Sequence, residues 1–441
     1  MLNDTISAIA TSQQKGAISI VRISGEDSFP IIQKLVDVDL SKVEGNTIHH
    51  AWIKDNDEVV DEVVLNVFRA PNSFTGEDVI EVNCHGGVYI TRKILSLILG
   101  SGARLANPGE FSQRAYLNNK IDLSQAEAIN DLINAKNELS ASSAANSLRG
   151  STAKLIAPLE EELTQIISNI EANIDYPEYY DVKQVTEEEI LPAIDRWLEQ
   201  MDKIVEDAKQ SITIREGVDT AILGKPNVGK SSILNALLNE DKAIVTDIAG
   251  TTRDLVEGVV TVGGVPLNLI DTAGIRESDD VVEKIGIERS LQALDKAQLV
   301  IVVLDDSNEL DEEDKEILER TKDKERIIVY NKMDLGVHNE GVHTSAIQGD
   351  VEELQKAIEE KFKDALPIAK ENTLNNERQL GLALQARSAM LDAKKTLTDG
   401  FELDVVTIDL QKCWESLREI TGQVHRDDLL DEIFSRFCLG K

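Results

Sequence analysis

Cysteine is scarce. Cys84, Cys413 and Cys438 are the only three in 441 residues, and their wide spacing supports neither a disulfide framework nor a cysteine-rich zinc site. No apolar run approaches the roughly 18 residues of a membrane span, and the opening MLNDTISAIATSQQKG lacks the basic-then-apolar order of an export signal. These absences predict a soluble cytoplasmic chain with no membrane partner. Positive charge is short as well, with 46 basic against 80 acidic residues and a formal charge of −34. That field repels phosphate, so a nucleic acid would be met at a local basic patch or through another protein. A hydrophobic content of 41% and the chain length suit two to four domains.

What is present is organised around residues 220–232, TAILGKPNVGKSS. An aliphatic run, Ala221 to Leu223, leads into a glycine-rich turn, after which Ile233, Leu234, Leu237 and Leu238 recur at helical spacing. This is the strand, phosphate loop and helix of a nucleoside-triphosphate site. Gly224 and Gly229 let the backbone approach phosphate, and the N–H groups of Asn227, Val228, Gly229, Lys230, Ser231 and Ser232 can face it. Lys230 reaches the outer phosphates and the Ser231 hydroxyl can hold Mg²⁺. Asp271-Thr272-Ala273-Gly274 then ends a strand candidate, its carboxylate placed to reach Mg²⁺ through water and Gly274 to give an N–H to the γ-phosphate. In Asn331-Lys332-Met333-Asp334, Asp334 can accept from the N1–H and 2-amino group of guanine, Asn331 can tie the base loop, and Lys332 can pack over the ring. Ser345-Ala346 adds a backbone N–H toward the guanine O6. In this order the elements specify a guanine-nucleotide hydrolase; an ATPase has no use for Asp334.

The glutamine that orients water in Ras-like switches is missing, since position 275 is Ile. Glu277, Asp279, Asp280 and Glu283 follow. Glu283 opens a helical run and can orient water, directly or through a second water, or can be a solvated helix residue. The preceding loop, Thr246-Asp247-Ile248-Ala249-Gly250-Thr251-Thr252-Arg253, offers Thr252 as a second hydroxyl on Mg²⁺. Charge developing between the β- and γ-phosphates needs a cation. Asn227 with the loop carbonyls can cage K⁺, and Arg253 competes for the same work.

Around this domain, residues 1–117 read as a compact α+β domain with strands at 6–9, 17–23, 62–68 and 78–83 and a helix at 90–99. Cys84-His85-Gly86-Gly87 follows a strand. His85 suits a ligand, a base or a turn-positioning residue, and Cys84 a packed small side chain. Residues 118–212 and 371–441 carry long amphipathic patterns, among them Leu155, Leu159, Leu163, Ile166 and Ile170, then Leu380, Ala383, Leu384, Arg387 and Leu391. Together they suggest one discontinuous all-α domain into which residues 213–370, a doubly wound α/β nucleotide domain, are inserted. The acidic tract 309–325 reads as the solvated side of a helix.

The combination GKPNVGKS, GTTRD (residues 250–254), DTAGIR, NKMD and the terminal Cys438-Leu439-Gly440-Lys441 resembles the tRNA wobble-uridine modification GTPase family, MnmE or TrmE. So do PNSFTGEDVIEVNCHGG (71–87) and PGEFSQRAYLNNKIDLSQAEAI (108–129). The resemblance runs over the whole chain. It implies an N-terminal folate-binding and dimerising domain, a helical domain and an inserted GTPase domain that dimerises when K⁺ is present. It further implies a flavoprotein partner, MnmG, which carries FAD. With that partner the family installs an aminomethyl or carboxymethylaminomethyl group at carbon 5 of the tRNA wobble uridine, using a one-carbon unit from a 5-formyl- or methylene-tetrahydrofolate. Carried onto this sequence, K⁺ falls on Asn227, Thr246, Ile248 and Thr251, Mg²⁺ on Ser231 and Thr252, and water orientation on Glu283. Folate falls on Arg22, Glu81, Lys120 and Lys441. Cys438, beside that pocket, suits either a nucleophile or a fitted small residue.

The chain departs from the commoner family forms at 11–16, TSQQKG, where a Pro- and Gly-rich turn is usual, and at Asn83-Cys84. A reading of another class remains, a regulatory or assembly GTPase whose flanking domains scaffold a complex without folate. Convergence of Arg22, Glu81, Lys120 and Lys441 on one pocket separates the two.

Overall fold

The computed structural model describes residues 4–175, 187–238, 256–270, 294–336, 339–370 and 372–424, with 430, 433–435, 437 and 440. The chain divides into two compact units, Met1–Asn130 with Arg418–Lys441, and Asp131–Leu417.

The first unit is built on strands β1 (Ile6–Ile9), β2 (Ile18–Ser24), β3 (Thr47–Asp55), β4 (Glu58–Phe68), β5 (Val79–His85) and β6 (Arg104–Leu105), in spatial order β3-β4-β5-β2-β1-β6. All neighbours are antiparallel except β1 and β6. The period-2 alternation sends Val21, Ile23, Val63, Leu65, Val67, Ile80 and Val82 to one face. There α1 (Ser28–Gln33) and α2 (Val88–Gly100) cover them with Phe29, Ile32, Ile94 and Ile98. On the other face α3 (Glu110–Leu117) lays Phe111 over Ile6 and Ala8. Toward β3 that face is open, with Ile48 71% and Ile18 66% exposed. Leu430, Phe434 and Phe437, late in the chain, pack on Tyr116, Leu123 and Ala126, the last two from α4 (Leu123–Asn134). Gly109 makes this closure possible: a Cβ there would lie 2.4 Å from the Phe434 carbonyl oxygen.

A buried ion network holds α3 in place. Arg114 donates to Asp4, Glu77 and Glu110, and Arg104 to Asp4 and Glu110. Its purpose is visible in the burial: Glu110 and Arg114 are almost sealed from solvent, where each charge requires an opposite partner.

In the second unit α5 (Glu138–Leu148), α6 (Ser151–Asp175) and α7 (Glu187–Glu216) precede the nucleotide domain. That domain runs β7 (Val218–Leu223), α8 (Lys230–Leu238), β8 (Val256–Val262), β9 (Val265–Ile270), β10 (Leu299–Asp305), α9 (Glu312–Arg320), β11 (Arg326–Asn331), β12 (Val342–Thr344), α10 (Glu352–Phe362) and α11 (Ala365–Lys370). Helices α12 (Glu377–Thr398) and α13 (Leu403–Thr421) return to the helical part. Sheet order is β12-β11-β10-β7-β9-β8, parallel except for β8. The continuous apolar run of β10 is buried on both faces, as a central parallel strand requires. α8 and α10 cover one face with Ile233, Leu234, Leu354 and Ile358, and α9 the other with Ile317 and Leu318.

Of the face expected on α6, Leu159, Leu163, Ile166 and Ile170 are buried, whereas Leu155 is half-buried and Ile174, also expected on that face, is 41% exposed near the helix end. Trp197 of α7 donates its indole N–H to the Leu159 carbonyl at 3.0 Å. The buried face of α12 is rotated from the expected one. Ala383, Ala386, Met390 and Ala393 point inward, whereas Leu384 and Leu391 are each 38% exposed. Small alanines let α12 approach α7 closely, and that contact outweighs the leucine pattern.

The chain enters and leaves the α/β layer at one clasp. Arg215, at the end of α7, donates to the Ala369 carbonyl (3.0 Å) and to Asn375 Oδ1 (2.5 Å). Ser143 donates to the same oxygen at 2.6 Å, Asn375 Nδ2 donates to Ser147 Oγ, and Asn137 donates to the Arg215 carbonyl at 2.9 Å.

Candidate nucleotide site and N-terminal site

The phosphate loop joins β7 to α8 at the carboxyl end of the sheet. Gly224 and Gly229 have φ of +157° and +97°. A Cβ at Gly224 would sit 2.3 Å from the Val303 carbonyl oxygen, and one at Gly229 would sit 2.1 Å from Asn331 Nδ2. These glycines are therefore required by β10 and the base loop, not by phosphate alone. Asn227 also takes a left-handed conformation, φ +62°. Lys230 curls back into the loop, donating to the Gly224 and Lys225 carbonyls at 2.8 Å each, and burial pushes its ammonium pKa down. This loop is a cradle that any side chain at the two glycines would fill, with a cation at its centre, and so fits a polyphosphate.

Asn331 unites this cradle with the base side. Its Nδ2 donates to the Val228 carbonyl at 2.8 Å, while its Oδ1 accepts from Thr344 Oγ1 and the Ala346 N–H, both at 3.1 Å. Of the Ser345-Ala346 pair, expected to offer a backbone N–H to guanine O6, Ala346 donates instead to Asn331 and Ser345 to the Asp350 carbonyl at 2.9 Å. Asp334 accepts from Ser345 Oγ at 2.7 Å, which fixes one carboxylate oxygen. Lys332 is left-handed, φ +71°, and its ammonium pairs with Asp305 at 2.6 Å. Lys225 pairs with Asp311 at 2.5 Å and Asp314 at 2.8 Å at the start of α9.

In the N-terminal unit the register places Arg22 of β2 opposite Glu81 of β5, and Glu81 opposite Asn66 of β4. Arg22 donates twice to Glu81 Oε1, at 2.9 and 2.7 Å, and once to the Gly440 carbonyl at 3.3 Å; Asn66 donates to Glu81 Oε2 at 3.3 Å. The Arg22 guanidinium also lies 5.5 Å from the Phe111 ring centroid. Gly440, φ +91°, is pressed against β1, where a Cβ would meet the Ile9 carbonyl oxygen at 2.4 Å. Lys120 donates to the Pro71 carbonyl at 2.8 Å.

Two comparisons bear on this geometry. The family profile described as "GTP-binding protein TrmE N-terminus" matches residues 5–120, and "MnmE helical domain" matches residues 123–438. "tRNA modification GTPase MnmE" of Lactiplantibacillus plantarum is 45% identical over 99% of this chain and 98% of its own length. The chain belongs to the MnmE family of tRNA modification GTPases. The protein of that name from Bacillus cytotoxicus is 46% identical over 99% of both chains.

Within this MnmE-family chain the structure brings together Asn227, Val228, Gly229, Lys230, Ser231 and Ser232 with Asn331, Lys332, Met333, Asp334, Ser345 and Ala346, on the loops at one end of the sheet. It joins Arg22 and Glu81 to the Gly440 end of the chain. The expected sites at 246–252, 271–274, Glu283, Cys438 and Lys441 lie outside the described residues. His85 Nδ1 and N–H both engage Asp61, at 2.7 and 2.9 Å, so the side chain ties β5 to β4. Among the described residues no cluster of three or more His, Cys, Asp or Glu could hold a metal. Cys84 is packed, its thiol pKa pushed up by burial. No described helix is long and apolar enough to cross a membrane.

Sequence reasoning missed Asn66, Lys225, Asp305, Asp311 and Asp314. The acidic tract is the solvated side of α9, as expected, except at Asp314, which is buried; Asp314 and the exposed Asp311 also turn to the phosphate-loop Lys225. Asp311-x-x-Asp314 carries a capping-box spacing that marked the helix start.

Proposed function

We propose that this chain hydrolyses GTP in the service of tRNA modification, in a K⁺-dependent cycle, and acts with the FAD-carrying flavoprotein MnmG at carbon 5 of the wobble uridine. The product is an aminomethyl or carboxymethylaminomethyl group, and a tetrahydrofolate derivative supplies its carbon. The observation that carries the GTP assignment is Asn331, which bonds to the phosphate loop and to Thr344 and Ala346 beside a Ser345-anchored Asp334. Only a purine with guanine's N1–H and 2-amino donors satisfies that carboxylate.

In this reading Lys230 would leave its loop carbonyls for the outer phosphate oxygens, and Ser231, Thr252 and Asp271 would be the residues that hold Mg²⁺, which would neutralise phosphate charge. Glu283 orients the attacking water. Asn227, Thr246, Ile248 and Thr251 would be the residues that hold K⁺, which would supply positive charge to the phosphate chain as charge develops there. Asp247, Ala249 and Gly250, with Thr272, Ala273 and Gly274, would complete the nucleotide-binding set.

The folate assignment is supported by the convergence of Arg22, Glu81 and the backbone of the terminal segment, which carries Cys438 and Lys441. Lys120, whose ammonium is held by the Pro71 carbonyl, would have to turn from it to join them. The Arg22–Glu81 pair offers a planar donor set and a carboxylate to a pterin edge. We divide the chain into an N-terminal domain (1–117), a helical domain (118–212 and 371–441) and an inserted GTPase domain (213–370), acting in the cytoplasm as a homodimer. Ile48 on β3 and Ile18 on β2 are separate exposed apolar side chains on the open face, which a second copy could cover.

Calorimetric titration with 5-formyltetrahydrofolate tests the reading. Saturable binding that Glu81→Ala weakens at least about tenfold, with GDP affinity intact, supports it. No binding by folded wild type removes folate from the reading and moves it to a scaffold GTPase.

A further inference from the structure

We propose that the segment from Asp305 to Asp314 is a carboxylate bracket that positions both halves of the nucleotide site, Asp305 acting on the base loop through Lys332 and the Asp311–Asp314 pair acting on the phosphate loop through Lys225. The proposal rests on the reading of this site as a GTP site and adds positioning residues to it.

At the base end, β10 stops at Asp305, directly in register with Asn331 of β11. Before it meets Lys332, Asp305 is already oriented: its Oδ1 accepts from the Ser307 N–H at 3.0 Å and the Ser307 hydroxyl at 2.5 Å. Its Oδ2 is left to take the Lys332 ammonium at 2.6 Å. Lys332 has a left-handed backbone, which residues with a Cβ disfavour, so its placement calls for an outside anchor. Asp306 strengthens the same end. Its N–H donates to the Asn331 carbonyl at 2.8 Å, and its buried carboxylate meets His343 Nδ1 at 2.9 Å, one residue before Thr344.

At the phosphate end, Asp311 and Asp314 complete a capping box using only their own backbone N–H groups, at 3.0 and 3.2 Å. The helix start therefore needs no lysine. Lys225 is nevertheless held by both carboxylates, and Asp314 is buried with its Oδ1 lacking a hydrogen-bond partner among the described residues. A sealed carboxylate in that condition is compensated by the cation brought to it. Lys225 is one of the two loop residues, with Gly224, whose carbonyls receive the Lys230 ammonium. Displacing the Lys225 side chain thus shifts one of the two oxygens that hold Lys230, and with it the loop backbone from which Lys230 reaches phosphate. The bracket acts on the chemistry through the loops and does not touch the nucleotide.

The test uses the full-length protein, a fluorescent GDP for affinity and steady-state GTP hydrolysis. Asp305→Asn weakens GDP binding about tenfold and raises KM for GTP in step. In a Lys332→Met background the same change adds less than about twofold, because the pair acts as one unit. Lys225→Met lowers kcat about tenfold, and Lys225→Arg, which keeps the cation, restores most of it. The Lys225 arm does not depend on Asp305, so it stands if Asp305→Asn does not fold, and Lys225→Arg, which keeps a cation opposite the buried Asp314, folds even where Lys225→Met does not. Equal losses with and without Lys332, or Lys225→Met turning over at the wild-type rate, overturn the bracket and leave the GTP site standing. A wild type that binds no guanine nucleotide overturns the site reading and the bracket with it.

Discussion

At the scale of single residues, the proposed guanine recognition would rest on Asp334, one oxygen of which is committed to Ser345. Asp334→Asn removes the acceptor for two guanine donors and presents an amide instead. GTP affinity is expected to fall roughly a hundredfold, while xanthosine triphosphate, which carries an oxygen at position 2, gains. Competition against fluorescent GDP measures both; unchanged GTP affinity rejects the base assignment. The residues of this site were legible where nucleotide chemistry restricts the side-chain type, as at Gly224, Lys230, Asn331 and Asp334. They were not legible where an ordinary surface pattern hides the role. Asp311 and Asp314 read as part of a solvated helix face, and nothing in the chain announces that an Oδ2 of each turns to Lys225. The pairing of Arg22 with Glu81 was equally hidden, since it depends on the register of β2 against β5.

At the scale of elements, the clasp of Arg215, Asn375, Ser143 and Ser147 is where the helical part and the α/β layer share hydrogen bonds. Asn375→Ala leaves several of those buried groups short of a partner, at a cost of about 1–3 kcal/mol. Amide exchange is expected to accelerate across 138–148 and 369–380, with GDP affinity retained. Exchange at the wild-type rate would show that the clasp carries no stability. Most strands and helices could be read from periodicity, but β3 could not: Ile48 and Trp52 lie on its open face while Ala51 and Ile53 are buried, so the polar-out alternation is absent. α12 misled for a related reason. Its contact face is made of alanines, which carry too little hydrophobic signal to outvote two exposed leucines.

At the scale of the whole molecule, charge shapes stability. Hydrogen bonding from Arg104, joined by Arg114, holds the Asp4 carboxyl at about 2. Burial pushes Glu110 upward, but Arg104, the Asn107 N–H and Arg114 outweigh it and leave it below the usual range. Both groups are more acidic folded than unfolded. Their contribution is therefore fully present above the unfolded carboxylate range and is lost as pH falls from roughly 4.5 toward 2. Denaturant midpoints of the full-length protein across that window should drop on acidification, and Asp4→Asn should flatten the drop. An unchanged slope in that variant would remove the network from the acid response.

The contact of Leu430, Phe434 and Phe437 with Tyr116, Leu123 and Ala126 also sets an order of events during synthesis. A ribosome makes residues 131–417 after one half of that apolar surface and before the other. At about 5–20 residues per second the interval is roughly 15–60 s. Throughout it the nascent N-terminal unit presents Tyr116 and its neighbours uncovered, a natural target for a chaperone, and a transcript truncated late in the reading frame yields a chain in which that surface never closes.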